Sequence, residues 1–212
     1  GPFTVNVAML RHVPGQLRKH EYKGTAVLSD HQLIDFEAGD TTAKCFGVAA
    51  DIGTTTMVVS LLDLCSGEES ATAARMNPQV SFGDDVLSRI HHSTSCPHCL
   101  EELREAMCNQ LGEMIRALCD ETGIDARSIY QATFAGNTTM QHLLCGVDPA
   151  PLGAVPFAPA YGRGMILSAR DMGIPINAHA TSYVFPVIGG FVGGDTVAGM
   201  LTTRIDELEE PV

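Results

Sequence analysis

A carboxylate followed by a glycine and three threonines is the first group of residues whose types and spacing could do chemistry. Asp51 ends a predicted apolar strand, and Gly53 lies at the bend after it. The threonines that lead into the next apolar strand are Thr54, Thr55 and Thr56. A glycine lets the backbone approach a ligand closely, and the N–H and hydroxyl groups after it can point at phosphate oxygens. Because a carboxylate repels phosphate unless a cation lies between them, the pattern predicts that Asp51 holds Mg²⁺ through water. The alternative is an ordinary hairpin turn.

A second polar turn lies between a predicted strand and a predicted helix. It consists of Gly136, Asn137 and Thr138. The N-terminus of a helix offers unpaired N–H groups and a positive dipole end, which suit an anion. The turn is therefore a second candidate for binding a ligand, and simple capping of the helix by Asn137 is the alternative.

A third turn is rich in glycine and again separates a predicted strand from a predicted helix. Gly193 and Gly194 close a run of four glycines within 189–194, and Asp195 follows them. Such a run indicates a backbone that bends sharply or packs closely against another segment. Asp195 could cap the helix, face the metal site at Asp51, or do both.

The elements that must position these turns follow from apolar periodicity. The predicted strands are 46–51, 56–62, 70–75, 129–134 and 183–188, and the predicted helices are 84–91, 100–118, 137–144 and 195–208. Tight turns join the first three strands into an antiparallel meander. The order predicts an α/β protein with a ribonuclease-H-like fold, in which helices cover a mixed five-stranded sheet. The last helix is expected to bury Val197, Met200, Leu201, Ile205 and Leu208, and 147–173 reads as loop with at most one helical turn.

The first 44 residues read differently, because they are the basic part of the chain and their apolar pattern is weak. They offer two short strands, 25–28 and 32–37. We interpret 1–44 as the end of a preceding domain or linker, with a hairpin of the main domain as the alternative. Gly1-Pro2 is typical of the remnant that a protease leaves after removing a tag.

The composition limits the classes of function. The chain has 212 residues and a formal net charge of −12, and a field of this sign repels phosphate backbones and anionic lipid. No apolar run reaches the ~18 residues that a membrane span needs. Seven cysteines at irregular spacing argue against a disulfide framework. We therefore expect a cytoplasmic protein with reduced thiols that binds neither nucleic acid nor membranes.

A pair of cysteines precedes the longest predicted helix. Cys96-Pro-His-Cys99 resembles the active site of thiol–disulfide oxidoreductases, but it lacks the strand that should come directly before it. The alternatives are an isolated dithiol or a weak metal site, for which His91, His92 and His98 are close in sequence.

Four stretches, in this order and spacing, together resemble one family. They are DIGTTT (51–56), NPQVSFGDDVLSRI (77–90), AGNTTMQHLL (135–144) and GGFVGGD (189–195). The family is the ASKHA-type, or actin-like, ATPase domain of the reductive activators of corrinoid proteins, and the resemblance runs from about residue 27 to 208. It implies that Asp51 and Gly53 to Thr56 form the first phosphate motif. The other two turns match less directly, and their ligand roles are inferred.

The resemblance also implies an activity and a set of partners. Such activators are multidomain proteins that carry a [2Fe–2S] cluster in an N-terminal domain and use ATP with Mg²⁺. They return an inactive Co(II) corrinoid, held by a methyltransferase partner, to Co(I). In that scheme 1–44 ends a middle domain and 45–212 forms the first lobe of the ATPase. The second Asp-x-Gly-Thr hairpin, the adenosine segment and the cluster cysteines are not in this sequence, so we expect the fragment alone to be inactive.

Other functions are compatible with parts of the pattern. One is a non-catalytic module that docks a corrinoid protein or associates with itself as a homodimer. Another is a lobe of an actin-like small-molecule kinase, although no acceptor pocket is recognisable. A nuclease would need further carboxylates near the end of the fourth strand, where this chain has Gly136 and Asn137.

Overall fold

The computed structural model describes residues 3–5 and 7–205. The strands are β1 (Thr4–Val5), β2 (Gly24–Ser29), β3 (Gln32–Ala38), β4 (Phe46–Ile52), β5 (Thr56–Asp63), β6 (Glu69–Met76), β7 (Ile129–Gly136), β8 (Met165–Ser168) and β9 (Thr181–Val184). The α-helices are α1 (Val7–Lys19), α2 (Val86–Ser95), α3 (Cys99–Thr122), α4 (Thr138–Cys145), α5 (Ala169–Met172) and α6 (Gly194–Thr203). Short 3-10 helices cover Pro78–Ser81, Ala126–Ser128 and Ala150–Gly153. None of the helices in these residues is long and apolar enough to cross a bilayer.

The main sheet has six strands in the order β6-β5-β4-β7-β9-β8. β4, β5 and β6 are antiparallel neighbours, whereas β7 runs parallel to both β4 and β9. This mixed topology confirms the ribonuclease-H-like prediction. It also brings the ends of β4, β7 and β9 to one edge of the sheet, which is where all three predicted turns lie.

The prediction of five strands was wrong by one. β8 pairs antiparallel with β9, and the four-residue helix α5 follows it directly. The residues of β8 alternate between half-buried and exposed, as in a strand with one covered face. The strand was missed because four residues are too few to show this alternation within a Pro- and Gly-rich passage. β9 is also shorter than predicted, since it ends at Val184, two residues before Pro186, which lacks an N–H for a sheet ladder.

The long helix α3 supplies much of the core. Its buried residues recur every three or four positions, as predicted for an amphipathic helix. They are Cys99, Leu103, Met107, Cys108, Leu111, Gly112, Met114, Ile115, Leu118 and Cys119. All of them except Cys99 and Gly112 belong to the same apolar cluster as Val48, Ile52 and Phe134 of the sheet. The helix ends at Thr122, and Gly123 caps it with a φ of 71°, the left-handed conformation expected of a glycine cap.

The N-terminal residues form a small sheet of their own, in the order β1-β3-β2. β2 and β3 agree with the two predicted strands, but α1 was missed, because Pro14 and several basic residues obscure its apolar face. The sheet is tied to the main body by side-chain hydrogen bonds. Tyr130 donates to Glu37 Oε1 at 2.7 Å, and Asn177 Nδ2 donates to Asp35 Oδ2 at 2.8 Å.

The last helix differs from its prediction in which of its residues are buried and in where it ends. α6 runs from Gly194 to Thr203, and Leu208 lies outside the described residues. Met200, Leu201 and Ile205, which we expected to be buried, are exposed. Val197, the remaining member of the predicted inner face within the described residues, is half-buried.

His142 of α4 is fully buried and hydrogen-bonded at both ring nitrogens. The N–H of Ala160 donates to Nε2 at 3.0 Å, so the proton lies on Nδ1, which is 2.7 Å from the carbonyl oxygen of Thr138. Burial lowers the pKa of His142 below its ordinary value, against the opposing effect of the bond to Thr138. The folded state therefore favours the neutral ring.

This neutral histidine makes stability depend on pH. Its contribution is complete above the ordinary histidine pKa of about 6.5 and is lost as the pH falls from there towards the lower folded-state pKa. We expect the free energy of unfolding to decrease by up to about 1.4 kcal/mol for each pH unit over that interval. Denaturant titrations at about pH 7.5 and about pH 5.5 measure the decrease. It should shrink in His142→Gln and persist in His91→Gln, an exposed control; equal decreases in all three proteins would contradict the account.

Candidate phosphate site

The first predicted turn is a tight hairpin between β4 and β5. Gly53 donates its N–H to the carbonyl oxygen of Thr56 at 3.0 Å. A Cβ at position 53 would lie only 2.4 Å from that same oxygen, so the turn requires glycine. The side chains of Thr55 and Thr56 are exposed. The hairpin thus presents hydroxyl groups to solvent at the sheet edge where β4 ends.

The carbonyl groups of this hairpin are bound from inside the protein. Asn77 donates from Nδ2 to Gly53 O and from its backbone N–H to Thr55 O, both at 2.8 Å. The guanidinium of Arg89 donates to Thr54 O at 2.6 Å. Three consecutive carbonyl oxygens therefore have partners, and the turn holds its shape without a ligand. Such a preorganised turn loses little conformational entropy when it binds.

Arg89 has no solvent exposure. It also donates to Gly83 O at 2.9 Å and approaches Gln79 Oε1 at 3.3 Å. Burial lowers the pKa of Arg89 from its ordinary value, and the negative charges of Asp84 and Asp85 oppose that effect. A charged guanidinium directly behind the hairpin adds positive potential on the side away from solvent. That potential favours an anion at the turn.

Asn137 joins the second turn to the first. Its Oδ1 accepts the N–H of Met140 at 3.0 Å, which confirms the predicted cap of α4. The cap fixes the orientation of the amide, so Nδ2 donates to the hydroxyl oxygen of Thr54 at 2.9 Å. A hydroxyl that accepts one hydrogen bond still has its own proton to donate. The Thr54 hydroxyl therefore still has its proton available for a further acceptor.

The third turn packs directly on the second. A Cβ on Gly193 would lie 2.5 Å from Gly136 O and 2.6 Å from Thr138 N. The N–H of Gly194 donates to Gln141 Oε1 at 2.9 Å, and the buried hydroxyl of Thr138 donates to Gly189 O at 2.7 Å. Thr138 thus binds the glycine-rich turn, and Gly194 binds a side chain of α4. Their role in the structure is to fix the turns relative to one another.

Asp51 and Asp195 are brought near each other by this packing. The pKa of Asp51 is raised, first by desolvation and second by the negative charge of Asp195. Asp51 also lines a cavity of about 290 Å³ between the sheet and α6. Gly193, rather than Asp195, is the N-cap of α6, and Asp195 Oδ1 accepts from the N–H of its neighbour Thr196 at 2.7 Å. Asp195 therefore does not cap α6, which was one of its two predicted roles.

The donor set suits a hard divalent cation. Mg²⁺ is bound by one or two carboxylates and keeps several waters, and Asp51 and Asp195 provide two carboxylates whose mutual repulsion a cation would relieve. The exposed side chain of Asp195 and the open position of Asp51 leave room for those waters. The residues present therefore fit Mg²⁺.

All three predicted turns meet at one place, but sequence reasoning assigned no role to Asn77, Gln79 or Arg89. The stretch 77–90, which contains them, is one of the four that resemble the family, but its sequence did not indicate what these three side chains bind. Two features of the sequence could have indicated their role. Asn77 and Gln79 are polar residues on either side of a proline, and Arg89 lies on the apolar side of α2. Buried polar residues of this kind need partners, and the backbone of a glycine turn supplies them.

The cysteine pair lies elsewhere, where α2 ends and α3 begins. Cys96 and Cys99 form a disulfide, so the expectation of reduced thiols is wrong for this pair. The other five cysteines are free: Cys45, Cys65, Cys108, Cys119 and Cys145.

Comparison with known proteins gives consistent matches. A family model described as RACo middle region matches residues 46–208. The chain is 38% identical over 176 residues to the corrinoid activation enzyme RamQ of Eubacterium limosum. The aligned region covers 82% of this chain and 30% of RamQ. It is also similar to the solved structure of a reductive activator for a corrinoid, iron–sulfur protein, with a TM-score of 0.91, 36% identity and coverage of 99% of this chain and 34% of that chain. The chain thus spans about a third of the length of these two relatives.

Proposed function

Because the chain belongs to the RACo middle region family, we propose that it is the first nucleotide-binding lobe of an ATP-dependent reductive activator of corrinoid proteins. The observation that carries the proposal is the convergence of three polar turns on a rigid hairpin that is flanked by Asp51 and Asp195. In this proposal the full-length protein returns the Co(II) corrinoid of a methyltransferase system to Co(I).

The hairpin residues are proposed to bind the phosphates of ATP. Gly53 allows close approach of the backbone, and Thr54, Thr55 and Thr56 offer hydroxyl donors. Asp51 and Asp195 would hold Mg²⁺, Asp51 through water. When bound, the cation neutralises the phosphate charge that these two carboxylates would otherwise repel.

The other two turns are proposed to support the hairpin and to close the nucleotide site with α4 and α6. Asn137 aims the Thr54 hydroxyl, and Gly193 allows α6 to lie against the turn after β7. Gly136, Thr138 and Gly194 complete this packing. An actin-like ATPase fold places its nucleotide between two such lobes, so the second lobe would supply the adenosine contacts.

The remaining parts of the activator lie outside this chain in our proposal. A [2Fe–2S] cluster in another domain would supply the electron, and residues 1–44 would end a middle domain that precedes the lobe at 45–212. The partner would be a corrinoid protein of a methyltransferase system, in the cytoplasm. A docking module would bind this partner without needing Mg²⁺ or nucleotide.

The proposed function predicts that cobalt reduction depends on ATP. The full-length protein, with its cluster reduced, should convert a Co(II) corrinoid protein to Co(I) when Mg²⁺ and ATP are present. It should do so far more slowly with a nucleotide analogue that cannot be hydrolysed. The appearance of the Co(I) absorption band measures the reaction. Equal rates with and without ATP would contradict an ATP-driven activator and favour the docking module.

A further inference from the structure

A group of metal-binding side chains lies at the junction of α2 and α3, away from the phosphate hairpin. His92, Cys99 and Glu102 each place a ligand atom within 4.8 Å of the other two. Cys96 belongs to the same group, because its sulfur is bonded to that of Cys99. Within the described ranges 3–5 and 7–205, this is the one group of three or more such residues that meets this distance.

The geometry of His92 indicates a missing partner. Its Nε2 atom is buried and has no hydrogen-bond partner. The nearest carboxylate oxygen, Glu102 Oε2, is 3.6 Å away, which is beyond hydrogen-bond distance. The ring of Phe82 packs against the imidazole with a centroid distance of 4.9 Å, so the ring is held in this orientation. A buried polar atom without a partner is costly, and a cation between His92 and Glu102 would provide one.

We propose that the reduced Cys96–Cys99 pair, together with His92 and Glu102, forms a binding site for a thiophilic divalent cation such as Zn²⁺. Two thiolates, one imidazole nitrogen and one carboxylate are the ligand types that Zn²⁺ takes in tetrahedral sites. Zn–S and Zn–N distances of about 2.3 and about 2.0 Å place such ligands about 3–4 Å apart, so the present group needs only a small contraction.

The site would exist only in the reduced protein. A thiol or phosphine reductant breaks the Cys96–Cys99 bond and adds two electrons and two protons, which gives two thiols. Binding of the cation then releases both thiol protons, because the thiolate is the ligand. The disulfide and the metal site are thus alternative states of the same four residues, and oxidation would expel the metal.

The location suggests what the metal would stabilise. Cys96 is the C-cap residue that follows α2, and Cys99 is the first residue of α3. Either the disulfide or the cation therefore joins these two helices. α2 also carries Arg89, which holds the phosphate hairpin through Thr54.

Cobalt(II) binding tests the proposal, because Co²⁺ occupies zinc sites and is visible by absorption. The chain would be reduced with a phosphine, freed of reductant and titrated with Co²⁺. We expect one equivalent to bind with a thiolate-to-cobalt charge-transfer band and tetrahedral d–d bands, and we expect the oxidised chain to show neither. Displacement by Zn²⁺ gives the affinity for the proposed metal.

Variants assign the ligands. Cys96→Ser and Cys99→Ser should each weaken the charge-transfer band strongly, and His92→Gln should lower the affinity by at least about tenfold. Cys65→Ser, an exposed free cysteine, should bind like the wild type. Far-UV circular dichroism checks that each variant is folded. Absence of Co²⁺ binding by the reduced chain, or equal binding by the wild type and a folded His92→Gln, would overturn the proposal.

Discussion

Asp51→Asn in the full-length protein should lower the rate of ATP hydrolysis by about 10²- to 10³-fold, the range typical of removing one group that stabilises charge in the transition state. Asparagine keeps the size of the side chain but removes the negative charge that would hold Mg²⁺. The pKa of Asp51 is already raised by desolvation and by Asp195, so the neutral replacement costs the fold little. Phosphate release at saturating ATP measures the rate.

Asp120→Asn is the matched control for this prediction, because Asp120 is an exposed aspartate on α3. It should hydrolyse ATP at the wild-type rate. Thermal unfolding of both variants should stay close to that of the wild type. If Asp51→Asn hydrolysed ATP as fast as Asp120→Asn, the assignment of the metal site to Asp51 would be wrong.

Gly193→Ala should separate the second and third turns. Gly193 has a φ of −89°, which any residue can adopt, so the effect comes from contact alone. The added methyl group would lie 2.5 Å from Gly136 O and 2.6 Å from Asn137 Cα, both of them backbone atoms. Overpacking of this kind costs about 1–3 kcal/mol, and more where backbone must move. We expect a Tm several degrees below that of the wild type and weaker binding of nucleotide by the full-length protein.

Gly199→Ala, in the middle of the same helix α6, provides the comparison. A Cβ at position 199 meets no atom within 4 Å. Alanine is favoured over glycine in a helix interior by about 1 kcal/mol, so this variant should be as stable as the wild type or more stable. Equal Tm values for the two variants would show that the turn after β7 does not pack on Gly193 as described.

The hairpin could be predicted from the sequence because its requirements are local. Two apolar strands with an aspartate and a glycine between them leave few conformations, and the strand order then follows from connectivity. Asn137 was predictable for the same reason, since the residue before an apolar helix determines its cap. The meeting of the three turns followed from parallel pairing of β7 with β4 and β9, which the fold implied.

The support behind the hairpin could not be predicted, because it depends on contacts between distant segments. Arg89 reads as a polar residue of a surface helix, yet it is buried and binds a carbonyl 35 residues earlier in the chain. α1 and β8 were missed for a different reason. α1 contains Pro14 and several basic residues, and β8 has only four residues, so neither gave a recognisable apolar run.

The most direct test of the central claim is the affinity of the full-length protein for ATP, measured by calorimetry with Mg²⁺ and with a chelator, in wild type and Asp51→Asn. With Mg²⁺ the variant should bind ATP more weakly than the wild type, because a ligand of the cation is lost. With the chelator it should bind ATP more tightly than the wild type, because a charge that repels phosphate is gone. This reversal of sign is the result that we expect. A change of affinity by the same factor in both conditions would contradict a cation bridge between Asp51 and the phosphates.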